Sequence, residues 1–129
     1  MGKGFEDLDI YQRSLALGER IYNLISGWDW FAKETVGKQI VRSMDSVAAN
    51  ISEGFGRYHY NDRIRFLYFS RGSLYETHTW LAKAKQRKLI SSDDYKIIDS
   101  ELMILGIKLN NFIQSIYKLS SNNSHNNHE

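Results

Sequence analysis

The residues best suited to chemistry in this sequence are the arginines and tyrosines between Arg57 and Arg65. The stretch reads Arg57-Tyr58-His59-Tyr60-Asn61-Asp62-Arg63-Ile64-Arg65 and combines three Arg, two Tyr and one His. A guanidinium binds a phosphate through two parallel hydrogen bonds, and an exposed tyrosine ring can stack on a nucleobase. Arg57, Arg63 and Arg65 are therefore candidate nucleic-acid ligands. The alternative is a loop whose rings pack inward and whose arginines keep it soluble.

A second basic run supplies Lys83, Lys85, Arg87 and Lys88 as further candidates. It falls in the last turns of a predicted helix, where the helix dipole favours cations, so it does not require a nucleic acid. From residue 33 to residue 88 the sequence has 11 Lys and Arg against 5 Asp and Glu, whereas the remainder has 6 against 10. The middle of the chain is thus basic, which indicates either ordinary solvated helix faces or a surface for a polyanion.

Four polar residues lie next to predicted core positions: Asn50 and Glu53 on the second helix, and Ser73 and Glu76 on the third. A polar group that is buried must find a hydrogen-bond partner. These residues therefore predict a structural network that joins two helices, with a binding or catalytic pocket as the alternative.

No combination of residues typical of an enzyme is present. The sequence has no Cys, and no Glu-x-x-His pair of the kind that holds two metal ions in a helical bundle. Gly54-Phe55-Gly56 lacks the Lys-Ser/Thr that follows in a phosphate-binding loop, and His125 and His128 lie in the polar C-terminal segment. We expect a protein without catalytic residues, bound metal, cofactor or small-molecule substrate.

Helices must position these residues. Apolar residues recur at alternating spacings of three and four, which predicts one buried face on each helix. The predicted helices run from about Asp9 to Ser26, from Trp30 to Phe55, from Asn61 to Lys88, and from a turn at Ser91 to Leu119. The first helix has two neighbouring apolar stripes, which are Leu8, Tyr11, Leu15, Gly18, Tyr22 and Ile25, and Ile10, Ser14, Leu17, Ile21 and Leu24. The core stripe of the third helix is Leu67, Ser70, Leu74, Thr77, Leu81 and Ala84, and that of the fourth is Ile98, Leu102, Leu105, Leu109, Phe112, Ile116 and Leu119.

Because the connectors are short, the predicted fold is all-α, an antiparallel up-down-up-down four-helix bundle over residues 1–119. Residues 120–129 contain only Ser, Asn, His and Glu, and they predict a disordered polar tail. Asp29 is the expected N-cap of the second helix, and Ser91, with Asp94 three residues later, is the expected N-cap of the fourth. Gly27 is expected to end the first helix in a left-handed conformation. We expect the rings of Trp28, Trp30 and Phe31 to seal one end of the bundle.

Composition also bears on location. No apolar stretch approaches the roughly 20 residues that a membrane span needs, and the N-terminal residues have no apolar signal core. The lack of Cys fits a reducing compartment. We expect a cytoplasmic protein that does not associate with a membrane.

The stretch from Val47 to Arg57, Val-Ala-Ala-Asn-Ile-Ser-Glu-Gly-Phe-Gly-Arg, is followed by Arg65-Phe66-Leu67 and by Arg71-Gly72-Ser73-Leu74-Tyr75-Glu76. This combination resembles the bacterial four-helix bundle proteins named after 23S ribosomal RNA intervening sequences, and the resemblance extends from about Phe5 to Lys118. The sequence departs from the family at the first connector, where Phe31-Ala32 replaces a usual Pro, and at His59, where Ser is common.

The resemblance implies a relation to the accessory protein of diversity-generating retroelements, a barrel-shaped homopentamer that binds nucleic acid and a reverse transcriptase. It implies no catalytic residues. The sequence therefore predicts a non-enzymatic homo-oligomer, pentameric by resemblance, that binds RNA or another nucleic acid. The alternative is a protein-interaction scaffold without a nucleic-acid partner, whose contacts would be made by Trp28, Trp30, Tyr58, Tyr60 or Tyr68.

Overall fold

A computed structural model describes residues 4–127, and the side chains as far as residue 122. A short 3₁₀ helix at Phe5–Asp7 precedes α1, which spans Asp9–Ser26. Helix α2 has three parts, an α-helical turn at Trp30–Ala32, a π-helical turn at Lys33–Gly37 and a main segment at Lys38–Phe55. Helix α3 spans Tyr60–Gln86 and α4 spans Ser92–Asn127. Residues 4–127 contain no strand, so the prediction of an all-helical chain is confirmed.

The four helices pack around one core. Helix α1 contacts α2 and α4, and α3 contacts the same two helices. Each helix contributes side chains that are almost completely buried, such as Ile21, Ile40, Leu81 and Leu109. This burial removes apolar surface from water and is the main stabilising contribution to the fold.

The predicted core stripes are confirmed in α3 and corrected in α1 and α4. All six residues of the α3 stripe are buried. In α4, Ile113 is buried where Phe112 was predicted, and Leu119 is 48% exposed. In α1, the stripe that begins at Ile10 is buried, whereas Leu15 and Tyr22 beside it are exposed. The periodicity identifies the helix correctly but cannot choose between two adjacent apolar stripes, because that choice depends on the neighbouring helices.

Two predicted caps are confirmed. The Asp29 carboxylate accepts a hydrogen bond from the Ala32 N–H at 2.9 Å, and the Ser91 hydroxyl accepts one from the Asp94 N–H at 3.0 Å. Gly27 ends α1 but has a φ of −87°, so the expected left-handed conformation there is wrong. Within the described residues the positive φ belongs to Lys88, at 61°.

The C-terminal helix is longer than predicted. Helix α4 continues to Asn127, whereas the sequence predicted an end at Leu119 and a disordered tail over residues 120–129. No Gly or Pro follows Ser120 to stop the helix. Residues 128 and 129 of the predicted tail lie outside the described part of the chain. Over the described residues, none of the helices combines the length and the apolar composition that crossing a bilayer demands.

Candidate nucleic-acid interface

The arginines of the α2–α3 connection are held by the protein itself. Arg57 Nη2 lies 2.5 Å from Glu53 Oε1, and the Arg57 guanidinium lies 4.6 Å from the centre of the Phe66 ring. Arg63 Nε donates to the Arg57 carbonyl oxygen at 2.7 Å. Arg65 is exposed, and its guanidinium lies 5.4 Å from the centre of the Phe66 ring. Of the three candidates, Arg65 is the most available to a ligand.

The four cations at the C-terminal end of α3 are exposed. Within the described residues, none of Lys83, Lys85, Arg87 and Lys88 has a carboxylate within 4.0 Å, although Asp93 and Asp94 begin α4 nearby in sequence. The side chains of Lys83, Lys85, Arg87 and Lys88 are all exposed. Their charge is therefore presented to solvent rather than neutralised by an ion pair.

The turn that follows α3 holds Lys88 in a defined position. The Leu89 N–H donates to the Ala84 carbonyl at 2.9 Å and the Lys88 N–H donates to the Lys85 carbonyl at 3.0 Å. These two bonds form a Schellman motif, whose left-handed position is usually Gly because other residues are strained there. Here that position is Lys88, with φ at 61°. The strained position therefore carries a cation.

The two basic groups lie at opposite ends of α3. Lys85 follows Arg63 by 22 positions in one α-helix, which separates them by about 33 Å along the helix axis at a rise of 1.5 Å per residue. The seven candidate residues therefore do not form one continuous patch. A ligand that contacts both groups has to extend along the length of the bundle.

The start of α2, which carries Trp30 and Phe31, lies next to the C-terminal end of α3 and its basic residues. Phe31 lines a cleft together with Arg87 and Leu89, and the floor of this cleft includes Ala32 and Val36, which are buried. The sequence did not predict that Phe31 and Arg87 are neighbours.

The prediction that these aromatic rings seal the bundle end is wrong for two of the three. Trp28 is half-buried and packs against the core. Trp30 is 74% exposed and Phe31 is 70% exposed. The α2 turn that starts at Trp30 is capped by Asp29, and this orients both rings away from the core.

The π-helical turn separates these two rings from the rest of α2. It contains Gly37, where a Cβ atom would lie 3.0 Å from both the Ala32 carbonyl oxygen and Ile25 Cγ2. This close approach lets α1 and the start of α2 pack tightly. The turn of Trp30 and Phe31 is thus held against the bundle although its side chains are exposed.

The predicted polar network joins α2 and α3 through three of its four members. Ser73 Oγ lies 3.0 Å from Ser46 Oγ, and Asn50 Nδ2 lies 2.9 Å from the same hydroxyl. Glu76 accepts a hydrogen bond from Trp80 Nε1 at 2.9 Å and pairs with Arg42 of α2. Glu53 instead pairs with Arg57 outside the helix contact, so it does not join α2 to α3.

Three hydroxyl side chains that the predicted network did not include are buried between α2 and α3. Thr77 Oγ1 lies 2.8 Å from Ser43 Oγ, and Ser70 Oγ donates to the Val47 carbonyl oxygen at 2.8 Å. These side chains are buried and satisfied. Small hydroxyl residues let the two helices approach closely, which accounts for their place in the core stripe.

The pKa values of Glu76 and Asp45 are shifted in opposite directions. The Trp80 indole N–H first, and then the Arg42 guanidinium, lower the pKa of Glu76. Burial first, and then the negative charge of Glu19, raise the pKa of Asp45. Among the residues that the structure describes, no three His, Asp or Glu side chains are grouped so that they could hold a metal ion.

Comparisons with known proteins agree with this architecture. The profile of a family described as 23S rRNA-intervening sequence protein matches residues 6–111. The chain is also similar to the crystal structure of a protein of unknown function from the S23 ribosomal protein family of Bacteroides thetaiotaomicron. The two are 27% identical with a TM-score of 0.73, over 81% of this chain and 97% of that chain. No curated protein matches the chain.

Proposed function

The chain belongs to the 23S rRNA-intervening sequence protein family, and from this premise we propose that it is a non-enzymatic, homo-oligomeric bundle that binds RNA. The observation that carries the proposal is the exposed group of Lys83, Lys85, Arg87 and Lys88, which has no ion-pair partner within the described residues. Unpaired cations on a rigid helix end attract phosphates, and the attraction is independent of base sequence.

The proposal includes an antiparallel up-down-up-down arrangement. In contacts between neighbouring helices, the residue number falls on one helix as it rises on the other, as expected for antiparallel neighbours. The supporting pairs are Arg42 with Glu76 and Val47 with Ser70 between α2 and α3, His78 with Asp99 and Tyr68 with Tyr117 between α3 and α4, and Arg20 with Glu101 and Asp9 with Lys108 between α1 and α4.

Self-association is the second part of the proposal. Tyr75, Met103 and Ile107 line a groove between α3 and α4 and are 62%, 63% and 56% exposed. Exposed apolar side chains grouped in one groove favour the approach of a second copy. A pentamer is implied by the resemblance to the accessory protein of diversity-generating retroelements.

Light scattering coupled to gel filtration tests the oligomer. We expect a mass of several subunits, which falls when Met103→Glu or Ile107→Glu places a charge in the groove. Leu15→Glu is the matched control, because Leu15 is 42% exposed on the other side of the bundle. A wild-type protein that is monomeric at all concentrations would contradict this part of the proposal.

Binding of structured RNA over a salt series tests the nucleic-acid part. Phosphate contacts predict a log–log slope of affinity against salt of about −0.9 for each phosphate that is neutralised. The triple variant Lys83→Gln, Lys85→Gln and Arg87→Gln is expected to make the slope shallower by about two to three. If the wild-type protein binds no RNA at low salt, the proposed function is wrong.

A protein-interaction scaffold is the second candidate function, and the exposure of Trp30 and Tyr58 favours it. Trp30 begins α2 and Tyr58 follows its end, and α2 itself is about 39 Å long at 1.5 Å per residue. A single interface built from all the predicted aromatic residues is therefore not expected. A partner protein whose binding is insensitive to salt, together with no RNA binding, would favour the scaffold.

The proposal assigns no catalytic step and sets the protein's action in the cytoplasm, where ribosomal RNA is found. The proposal gives the pairs of Glu76 with Arg42 and of Asp99 with His78 a structural role, since each joins two neighbouring helices.

A further inference from the structure

We propose that the cleft between the start of α2 and the end of α3, with the residues next to it, binds unpaired nucleotides. Phe31 in the cleft and the adjacent Trp30 stack on bases, and Arg87 in the cleft and the adjacent Lys88 contact phosphates. The inference rests on the proposed RNA binding and adds the kind of RNA and the position of the site. We call this region, formed by Trp30, Phe31, Arg87 and Lys88, the connector site.

The first argument is the exposure of two large rings on a rigid turn. Trp30 and Phe31 are 74% and 70% exposed. Their backbone is fixed, because the Asp29 side chain accepts from the Ala32 N–H and the Asp29 carbonyl accepts from the Lys33 N–H at 3.0 Å. Exposed rings contribute nothing to the core of this chain. Rigid exposed rings are, however, efficient stacking platforms, since little entropy is lost when a base binds.

The second argument is the cations beside the rings. Arg87 lines the same cleft as Phe31. Lys88 follows directly, in a left-handed conformation that positions its backbone and that Gly would adopt with less strain. Rings for bases and cations for the backbone are the two components of single-strand recognition.

The third argument is the class of ligand that fits both components. A base-paired duplex hides the faces of its bases, so Trp30 and Phe31 would contact little of it. An apolar peptide would leave Arg87 and Lys88 facing an uncharged partner. Unpaired nucleotides present flat faces and phosphates together, and the positive charge of this helix end is complementary to them.

Fluorescence anisotropy with three labelled probes tests the assignment. The probes are a single-stranded RNA of about 12 nucleotides, within the range of known single-strand sites, an abasic strand of the same length, and a duplex of the same sequence. We expect the wild-type protein to prefer the base-containing strand over the other two. Equal or stronger binding of the duplex would overturn the assignment to unpaired bases.

The variants separate stacking from charge. Trp30→Ala is expected to weaken binding of the base-containing strand about tenfold, within the range for one stacked base, and to leave the abasic strand unaffected. Trp30→Phe should retain most of the affinity. Arg87→Gln and Lys88→Gly should each weaken both strands and make the salt slope shallower by about one. Lys88→Gly removes the charge without adding backbone strain, so a loss of binding cannot be attributed to misfolding.

Phe69→Ala is the matched control, because Phe69 is 52% exposed in the first half of α3, away from the connector site. It should leave all three affinities unchanged. If Trp30→Ala binds every probe as the wild-type protein does, the connector site is wrong while the proposed RNA binding survives. If the wild-type protein binds no probe at low salt, both are wrong. Binding to vesicles that contain anionic lipid, without binding to any RNA, would likewise overturn both.

Discussion

Replacing two helical glycines by alanine should affect stability differently. Gly72 lies inside α3 and Gly54 lies near the end of α2. In a helix interior, Ala is favoured over Gly by about 1 kcal/mol, because the unfolded Gly chain has more conformations to lose. A Cβ atom on Gly72 would meet nothing within 4 Å. Gly72→Ala should therefore raise the free energy of unfolding by about 1 kcal/mol, which for a chain of 129 residues raises the Tm by roughly 4 °C.

Gly54 differs because α3 lies against it. A Cβ atom there would be 3.1 Å from the Arg63 carbonyl oxygen and 3.1 Å from Phe66 Cβ. Both atoms belong to or adjoin the backbone of α3, so they cannot move aside without displacing that helix. Overpacking of this kind costs about 1–3 kcal/mol, which outweighs or cancels the helix-propensity gain. Gly54→Ala should therefore be less stable than Gly72→Ala by about 1–3 kcal/mol.

Urea denaturation followed by circular dichroism measures both variants, at one protein concentration because self-association would add to stability. The slope of unfolding free energy against urea should stay unchanged. If Gly72→Ala loses as much stability as Gly54→Ala, the reasoning is refuted, because the space at Gly72 must then be filled in the protein in solution. If Gly54→Ala proves as stable as Gly72→Ala, the tight α2–α3 contact at Gly54 is wrong.

Three further changes probe other features. Lys88→Gly should raise the free energy of unfolding by about 1 kcal/mol, because Gly has no Cβ atom and adopts a positive φ without strain. A variant with a lower Tm in thermal unfolding would contradict this. Thr77→Val should lose about 1 kcal/mol with little change in volume, since the hydrogen bond to Ser43 disappears; a variant of unchanged stability in urea would mean that the bond contributes nothing. Asp45→Asn should be more stable than the wild-type protein at pH 7 and equal to it below the ordinary carboxyl pKa of about 4. Burial and the charge of Glu19 raise the pKa of Asp45, so its ionisation in the folded state reduces stability as the pH rises; a difference that persists in acid would contradict this cause.

Much of the fold could be predicted from local patterns. The limits of α1, the limits of α2 and the caps at Asp29 and Ser91 depend on residues close in sequence, and these predictions agree with the structure. Other features had no local signal. The π-helical turn at Lys33–Gly37 contains Gly37, which packs against Ile25 of α1 in a contact between two helices.

The candidate site was predicted only as a list of residue types. A basic residue looks the same in the sequence whether its charge is paired or exposed. The tertiary structure distinguishes Arg57, which pairs with Glu53, from Lys83, which is exposed and has no ion-pair partner among the described residues. The predicted polar network shows the same limitation. Ser73 and Asn50 meet through Ser46, because these three lie where α2 and α3 face each other.

The sequence by itself determined that the chain is helical, where the buried stripe of α3 lies and which residues are basic, because these properties depend on composition and on spacings within one helix. The tertiary structure decided which residues from distant parts of the sequence become neighbours. It placed Phe31 beside Arg87 and left the Arg63 group at the far end of α3. The reason is that the packing of whole helices, rather than any local preference, sets the distance between their ends.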